Sequence, residues 1–314
     1  MLNREKNFVS AVIYVHNSEQ TIEEFLRKTV GILTDNFDNS EIICVNDGST
    51  DNSCNIINDL SKTLDGVNTS ITIVNMSYFH GLELSMNAGT DLAIGDFVFE
   101  FDYCNWDFPD NTIMDVYRRA LEGYDIVSAS SGAPSKFSSR MFYRIYNSAS
   151  NNSQKIRSES FRVLSRRVLN RITQMNRSIP YRKVAYSYSG LKSDSIVYKP
   201  VVKVNNRLSG SEKRFRRELA MDSLIMFTDF GYHVSQLMSV LMFVILAVTV
   251  IYTFIAYAVS TPVEGWTSTI LFLSVVFFGV FVILTIIIKH LQIIMRLIFK
   301  RQQYSILSVE KITK

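Results

Sequence analysis

The sequence predicts an α/β fold with a mostly parallel sheet, joined to a helical hairpin that crosses a membrane. Two observations carry this prediction. Short β-branched runs alternate with helical segments over residues 8–130, and two long stretches without a charged residue occur at 237–259 and 266–288. Alternating strands and helices are typical of a parallel sheet with helices on both faces. The chain is therefore expected to combine a soluble domain with a membrane part.

The elements of the soluble part follow from residue spacing. The strand-like runs are FVSAVIYV, EIICVND, SITIVNM, DFVFEFD and YDIVSAS. The segments between them are TIEEFLRKTVGIL, SCNIINDLSKTL, GLELSMNAGTDLA and NTIMDVYRRALEG. Apolar residues in these segments recur at the spacing of amphipathic helices. Thr21 and Glu24 predict a capping box at the start of the first helix.

Composition limits the classes of function. The chain is 47% hydrophobic with a mean hydropathy of +0.11, and the excess of apolar residues collects after residue 236. A net charge of +4 gives no electrostatic argument for binding nucleic acid, so nucleic acid is not an expected partner. Cys44, Cys54 and Cys104 have no paired spacing, which argues against a disulfide framework or zinc site and fits a reducing compartment.

Each charge-free stretch is long enough to cross a hydrocarbon core of about 30 Å as a helix. The connection STPVEGW has no Lys or Arg, whereas both outer flanks are basic. The positive-inside rule then places both chain ends in the cytoplasm. The alternative interpretation is a pair of buried core helices.

Amphipathic segments flank the predicted hairpin. RRELAMDSLIMFTDF precedes it and HLQIIMRLIFKRQQY follows it, which favours helices in the headgroup layer over helices packed on the soluble domain. They also favour contacts between copies of the chain, so a homo-oligomer is an expectation. The predicted organisation is a soluble domain at 1–215, an amphipathic helix at 216–236, the hairpin at 237–289, and an amphipathic helix with a tail at 290–314.

Polar residues cluster where the predicted strands end. Ligands of parallel sheets bind at the carboxyl ends of strands. The first run ends in VHNSE, the second in NDGSTD and the fourth in DYCNWD. An Asp-Gly turn after a strand is common by itself, so the combination of the three ends carries the interpretation. The sequence predicts a binding site at this edge.

These blocks resemble the family 2 glycosyltransferases, which have the nucleotide-binding, Rossmann-like GT-A fold. The resemblance lies in VIYVHNSEQTIEEFL, VNDGSTDNS, NAGTDLAIGDFVFEFD and WDFPD. The second half is similar to the polyprenyl-phosphate branch, which contains dolichol-phosphate mannose synthase and bacterial undecaprenyl-phosphate glucosyltransferases. Here the resemblance lies in SSRMFYRIYN, SFRVLSRRVL, NRLSGSEKR, the hairpin and FKRQQYSILSVEKI.

The resemblance implies an inverting, metal-dependent hexosyltransferase of the bacterial inner membrane, with the catalytic domain and both termini in the cytoplasm. It would move a sugar from a nucleotide diphosphate sugar, with UDP-hexose the commoner donor, to polyprenyl (undecaprenyl) phosphate. The product would serve the synthesis or modification of cell-envelope polysaccharide. The alternative is a catalytically weakened or inactive relative that acts as a nucleotide- or lipid-binding scaffold for a partner transferase.

The resemblance also assigns roles to residues. Nucleotide contacts fall on Val15, Asn17, Glu19, Asp47, Gly48 and Ser49. Catalytic roles fall on Asp102, Asp107 and Arg162, and Asp102 would also bind Mg²⁺ or Mn²⁺. Acceptor-phosphate contacts fall on Arg140, Arg207 and Lys213.

Several positions depart from the family pattern, including Tyr14 and His16 and the shorter acceptor loop SSGAPSKFSSR, and two further departures bear on the chemistry. Cys104 replaces the second acid of the metal motif, and a thiol is a soft ligand that suits Mg²⁺ or Mn²⁺ poorly. The acid expected just upstream of the Phe-Arg block is missing, because KIRSESFR offers only Glu159 and Ser160 stands beside Phe161. A lipid phosphate is ionised at neutral pH and needs no strong general base. Because substrate phosphates supply other ligands to Mg²⁺, we expect a metal site that is weak without nucleotide.

Overall fold

The computed structural model describes residues 4–63, 68–132, 137–149, 155–156, 158–175, 181–201 and 304–312, and isolated helical positions between 237 and 294. The chain forms two compact units. The first comprises Met1–Asn147, Asn152–Ala220 and Arg301–Lys314, and the second comprises Ser148–Asn151 and Met221–Lys300. All the candidate site residues that are described belong to the first unit.

In the described part of the first unit, the centre is an eight-stranded sheet. Its strands are β1 (Val9–Val15), β2 (Ser40–Asn46), β3 (Thr69–Met76), β4 (Phe97–Phe101), β5 (Ile126–Ser130), β6 (Phe161–Ser165), β7 (Ser193–Val197) and β8 (Ile306–Lys311). Their order is β7-β5-β6-β4-β1-β2-β3-β8. β1 is parallel to β2 and β4, as β2 is to β3 and β5 to β7. β6 and β8 are antiparallel to their neighbours, so the predicted mostly parallel sheet is confirmed.

Seven helices accompany these strands in the described part of the first unit. They are α1 (Ile22–Asn36), α2 (Ser53–Thr63), α3 (Leu82–Leu92), α4 (Thr112–Leu121), α5 (Phe137–Ala149), α6 (Arg166–Met175) and α7 (Arg182–Tyr188). The first four match the segments predicted from apolar spacing. The predicted capping box is wrong, because the side chain of Thr21 makes no cap hydrogen bond. Glu24 instead pairs with Lys28 one turn later, at 2.7 Å.

The central strands are buried on both faces, which explains their continuous apolar runs. On one face, Ile13 packs with Phe25 and Leu26 of α1. On the other, Val12 packs with Met86 of α3. A Cβ at Gly89 would lie 2.4 Å from Cγ1 of Val12, so α3 approaches the sheet closer than any other residue would allow. This packing brings the start of α3 to the carboxyl edge of the sheet.

Three strands were not predicted from the sequence. β6 and β7 complete the sheet beyond β4, and β8 lies in the segment that the sequence analysis assigns to a C-terminal tail. β8 pairs with β3, with Val74 opposite Val309. The last described strand of the chain, β8, therefore belongs to the same sheet as the first strand, β1.

Most of the predicted membrane hairpin lies outside the described residues. Within the part that is described, no helix combines the length and the apolar character needed to cross a membrane. The isolated helical positions include exposed apolar side chains spaced three or four residues apart. One such series is Leu237, Val240, Val244, Val248 and Ile251.

Candidate functional site

The loops that follow β1 and β2 interlock at the carboxyl edge of the sheet. Asn17 adopts a left-handed backbone with φ +48°, and its Oδ1 accepts a hydrogen bond from Thr50 N at 2.9 Å. In return, Asn17 N donates to Ser49 Oγ at 3.1 Å. Gly48 has φ +62°, a conformation that glycine adopts without strain. The predicted residues Asn17, Gly48 and Ser49 therefore lie together.

Glu19 ties the same two loops further along. Its Oε2 accepts from Asn52 N at 3.1 Å, and its own N–H donates to Asp51 Oδ2 at 2.9 Å. Burial would raise the pKa of Asp51, but hydrogen bonds from Ser53 and Glu19 outweigh it and lower that pKa. The side chain of Val15 is fully buried, so only its backbone takes part, accepting a hydrogen bond from Asp47 N at 2.9 Å.

Asp47 is fully buried beneath these loops. Its carboxylate accepts hydrogen bonds from Tyr14 OH at 2.9 Å, His80 N at 2.7 Å and Gly81 N at 2.8 Å. Gly81 immediately precedes α3, so the carboxylate also faces the positive end of that helix. Asp47 thus holds β1, β2 and α3 together, and its predicted contact with a nucleotide base or ribose stays a prediction.

Asp102 lies just beyond β4, is 4% exposed, and has both carboxylate oxygens ion-paired. Oδ2 lies 3.1 Å from Arg162 Nη2, and Oδ1 lies 2.7 Å from Arg182 Nη2. Burial alone would raise the pKa of Asp102. The positive charges of Arg162 and Arg182 outweigh burial and hold that pKa well below its ordinary value. Asp102 is therefore a carboxylate at neutral pH.

Arg162 meets three carboxylates although it is only 1% exposed. It extends from β6, where it lies directly opposite Glu100 of β4. Its Nη1 is 2.8 Å from Glu100 Oε2 and its Nε is 2.9 Å from Glu159 Oε2. Burial would lower the pKa of Arg162, and the acids around it raise that pKa instead. All three guanidinium nitrogen atoms of Arg162 are occupied by protein carboxylates.

Arg182, on α7, was not singled out in the sequence. Its Nε lies 3.0 Å from Glu83 Oε2, and its Nη2 contacts Asp102. Its Nη1 lies 2.9 Å from Glu100 Oε1 without hydrogen-bond alignment. Each guanidinium nitrogen thus faces a different carboxylate. An Arg-Lys pair at the start of a short helix gives no local signal of this role, because its partners are distant in sequence.

We call Glu83, Glu100, Asp102, Glu159, Arg162 and Arg182 the arginine–carboxylate cluster. It holds four carboxylates against two guanidiniums, and Tyr186 OH adds a hydrogen bond to Glu100 at 2.6 Å. Buried charges of this kind are tolerated only when they are paired and hydrogen-bonded. The cluster keeps Asp102 ionised while leaving neither of its oxygens unpaired.

The described residues do not fit a resident divalent cation. No group of three His, Cys, Asp or Glu side chains among them is arranged to hold a metal ion. Cys104 is 4% exposed and donates its thiol hydrogen to the carbonyl of Tyr14 at 3.1 Å. Burial raises the pKa of Cys104 to about 12, so the thiol is neutral. It lines a cleft of about 720 Å³ beside α1 with Trp106 and Lys28.

Asp107 belongs to a separate hydrogen-bonded chain. Tyr198 OH donates to Asp107 Oδ1 at 3.1 Å and is 2.5 Å from Ser160 Oγ. Burial raises the pKa of Asp107, although the hydrogen bond from Tyr198 partly opposes this. The structure therefore links Asp107 to Ser160, the residue that stands where the family pattern has an acid.

The predicted acceptor-phosphate residues are only partly described. Arg140 is exposed on α5. Arg207 and Lys213 lie outside the described residues. Their predicted contacts with a lipid phosphate stay predictions, as do the catalytic roles of Asp102, Asp107 and Arg162.

The fold and this sheet edge place the protein in the class of GT-A-like α/β proteins. A mannosyltransferase from Pyrobaculum calidifontis, solved in complex with GDP-Man and Mn²⁺, shares the fold with a TM-score of 0.50. The similarity covers 71% of this chain and 64% of that one, at 17% sequence identity.

The chain belongs to glycosyl transferase family 2, whose pattern it matches over residues 10–173. The predicted family is confirmed. An uncharacterized glycosyltransferase of Synechocystis is 29% identical over 60% of each chain. The uncharacterized glycosyltransferase YkcC of Bacillus subtilis is 24% identical over 86% of this chain and 84% of its own.

Homologues of this chain include polyprenyl-phosphate glycosyltransferases. The undecaprenyl-phosphate 4-deoxy-4-formamido-L-arabinose transferase of Pseudomonas fluorescens is 34% identical over 38% of this chain and 34% of its own length. The similarity thus covers less than two thirds of the length of the Synechocystis and Pseudomonas relatives.

Proposed function

We propose that this protein is a membrane-anchored glycosyltransferase that moves a sugar from a nucleotide diphosphate sugar to polyprenyl phosphate at the cytoplasmic face of a bacterial inner membrane. The expected donor is a UDP-hexose, and the expected use is cell-envelope polysaccharide synthesis or modification. The observation that carries the proposal is the meeting of the β1, β2 and β4 ends at one sheet edge in a family 2 chain. Homologues named for undecaprenyl phosphate support the acceptor.

The loops after β1 and β2 are suited to a nucleotide. They present a left-handed Asn17, a left-handed Gly48 and the hydroxyl of Ser49 at the carboxyl edge, where ligands of parallel sheets bind. Bound there, the nucleotide would have its diphosphate near the end of the neighbouring strand β4. Asp102 and its two arginines lie at that end.

The cluster suggests how the chain would meet a diphosphate. Guanidiniums bind phosphate and carboxylate oxygens through the same paired hydrogen bonds. We infer that an incoming diphosphate competes with Asp102 for Arg162 and Arg182. Because both oxygens of Asp102 are already neutralised, we assign no step to Mg²⁺ or Mn²⁺. We expect the free protein to bind these ions weakly.

A phosphate acceptor does not require a strong general base from the protein. An ionised lipid phosphate attacks without losing a proton, whereas a sugar hydroxyl needs a general base. Ser160, in place of an acid, is then no obstacle. Membrane anchoring is supported by the exposed apolar side chains at helical spacing between Leu237 and Ile251. The alternative, an inactive scaffold, lacks a specific observation in its favour.

The test is direct. Purified full-length protein in detergent is incubated with undecaprenyl phosphate and a panel of UDP- and GDP-sugars, and the lipid products are identified by mass. We expect one sugar to be transferred by the wild type and by Asp110→Asn, a control in the same segment. Asp102→Asn should lose most of the activity. Absence of any product from the wild type would leave the scaffold alternative.

A further inference from the structure

The segment between β3 and α3, residues 77–81, is hydrogen-bonded to the residue that precedes β8. Ser77 N–H donates to the carbonyl of Ser305 at 2.9 Å, and the hydroxyl oxygens of the two serines are 3.0 Å apart. Ser305 N–H donates to Nε2 of His80 at 3.1 Å. Both backbone polar groups of Ser305 are therefore used to hold this segment.

His80 connects this contact to the sheet edge. It is 4% exposed, and because its Nε2 accepts from Ser305, its Nδ1 carries the proton and donates to the carbonyl of Tyr78 at 2.5 Å. Its backbone N–H donates to Asp47 Oδ1 at 2.7 Å. A single residue thus joins the C-terminal strand to the buried acid beneath the loops after β1 and β2.

The same segment borders those loops directly. A Cβ at Gly48 would lie 3.2 Å from Phe79 N, and the rings of His16 and Phe79 are 4.8 Å apart. Tyr78 is 64% exposed, and its ring stacks on the ring of His80 at 4.0 Å. Residues 77–81 therefore lie beside the loops after β1 and β2 at the carboxyl edge of the sheet. Their conformation depends on His80.

We propose that His80 is a positioning residue through which β8 holds the nucleotide-binding edge in shape. The proposal rests on the proposed function, in which the loops after β1 and β2 bind a nucleoside diphosphate. β8 pairs with β3 across more than 200 positions of sequence. Only a chain whose C-terminal strand is seated on β3 then has a complete nucleotide edge.

The experiment measures the dissociation constants of UDP and GDP by calorimetry on full-length protein in detergent. His80→Ala removes the acceptor for Ser305, and we expect about a tenfold weaker affinity for the nucleotide that the wild type binds. Ser308→Ala is the matched control, because Ser308 lies on the same strand but bonds to Asn75 and Glu310 rather than to residues 77–81. Its affinity should equal that of the wild type.

Ser305→Pro provides an independent variant, since it removes the N–H that His80 accepts and leaves His80 in place. We expect faster amide hydrogen exchange in residues 77–81 and the same loss of nucleotide affinity. The maximal rate at saturating donor should be unchanged in both variants, which a general loss of structure would not give.

The outcomes separate the two proposals. A wild type that binds neither UDP nor GDP would overturn the proposed function and this inference together. If the wild type binds UDP or GDP, and His80→Ala and Ser305→Pro bind it as tightly as the wild type does, this inference alone is overturned. Lower thermal stability of the variants with unchanged affinity would also overturn it.

Discussion

Asp47 and Asp102 stand at the carboxyl ends of β2 and β4, and both are buried, but their charges are satisfied in opposite ways. Asp47 accepts hydrogen bonds from a tyrosine hydroxyl and two backbone N–H groups, all of them neutral. Asp102 is held by two guanidiniums. The carboxyl ends of β2 and β4, which lie on either side of β1, therefore have the same acid with different surroundings.

The difference indicates that the hydrogen-bond partners of Asp47 are fixed, whereas the ionic partners of Asp102 are exchangeable. The donors to Asp47 belong to β1 and to the start of α3, so they are fixed by the fold itself. The partners of Asp102 are charged side chains on β6 and α7, and another cation or anion is able to compete with them. In the proposed function, Asp47 therefore anchors the loops and Asp102 responds to the ligand.

The largest expected effect comes from removing Arg162. Arg162→Met leaves Glu100, Asp102 and Glu159 without their shared cation, and breaking buried ion pairs in this way costs about 3–5 kcal/mol of unfolding free energy. Denaturant unfolding of the detergent-solubilised protein measures it. Arg167→Met is the matched control, since Arg167 is exposed and 3.8 Å from Asp125, and should cost at most about 1 kcal/mol. Equal costs for the two variants would show that the cluster adds nothing to stability.

Asparagine substitutions compare the two aspartates directly. Asp102→Asn leaves two buried guanidiniums short of a carboxylate and should cost about 3–5 kcal/mol. Asp47→Asn turns an amide N–H₂ toward a hydrogen-bond donor and should cost about 1–3 kcal/mol. A larger cost for Asp47→Asn than for Asp102→Asn in the same unfolding assay would contradict the distinction between the two aspartates.

A smaller effect is expected from pH. The pKa of Asp102 is lowered in the folded protein, so its contribution to stability is complete above the unfolded value of about 3.9 and is lost as pH falls through the lower native value. The difference in unfolding free energy between the wild type and Asp102→Asn should be constant from about pH 5 to 8 and narrow below about pH 4. A difference that widens on acidification would be incompatible with ion pairing of Asp102.

Much of the fold was predictable because its signals are local. The runs that form β1 to β5 and the spacing that forms α1 to α4 each lie within about 15 residues. Asp47 and Asp102 were recognisable as candidates because each directly follows an apolar run. The outcome was different for the capping box, because the Thr21 hydroxyl donates to the carbonyl of Ser18 and Glu24 pairs with Lys28.

The rest depends on contacts between distant residues. Arg182 meets Asp102 across 80 positions, and nothing in the sequence around Arg182 distinguishes it from a solvated arginine. Ser305 meets His80 across 225 positions, so the strand that follows it looks like a tail until β3 is seen beside it. The partners that decide how each acid behaves are thus visible only in three dimensions.

The most direct test of the account is a Mn²⁺ titration without nucleotide, followed by electron paramagnetic resonance. The account predicts that the wild type and Arg182→Lys leave Mn²⁺ in solution, because a side-chain cation then faces each of the two oxygens of Asp102. Arg182→Met should bind Mn²⁺, because Glu83, Glu100 Oε1 and Asp102 Oδ1 then lose the guanidinium that faces them. Arg162 still pairs with the other oxygens of Glu100 and Asp102. Binding by the wild type as tight as that by Arg182→Met would contradict the account.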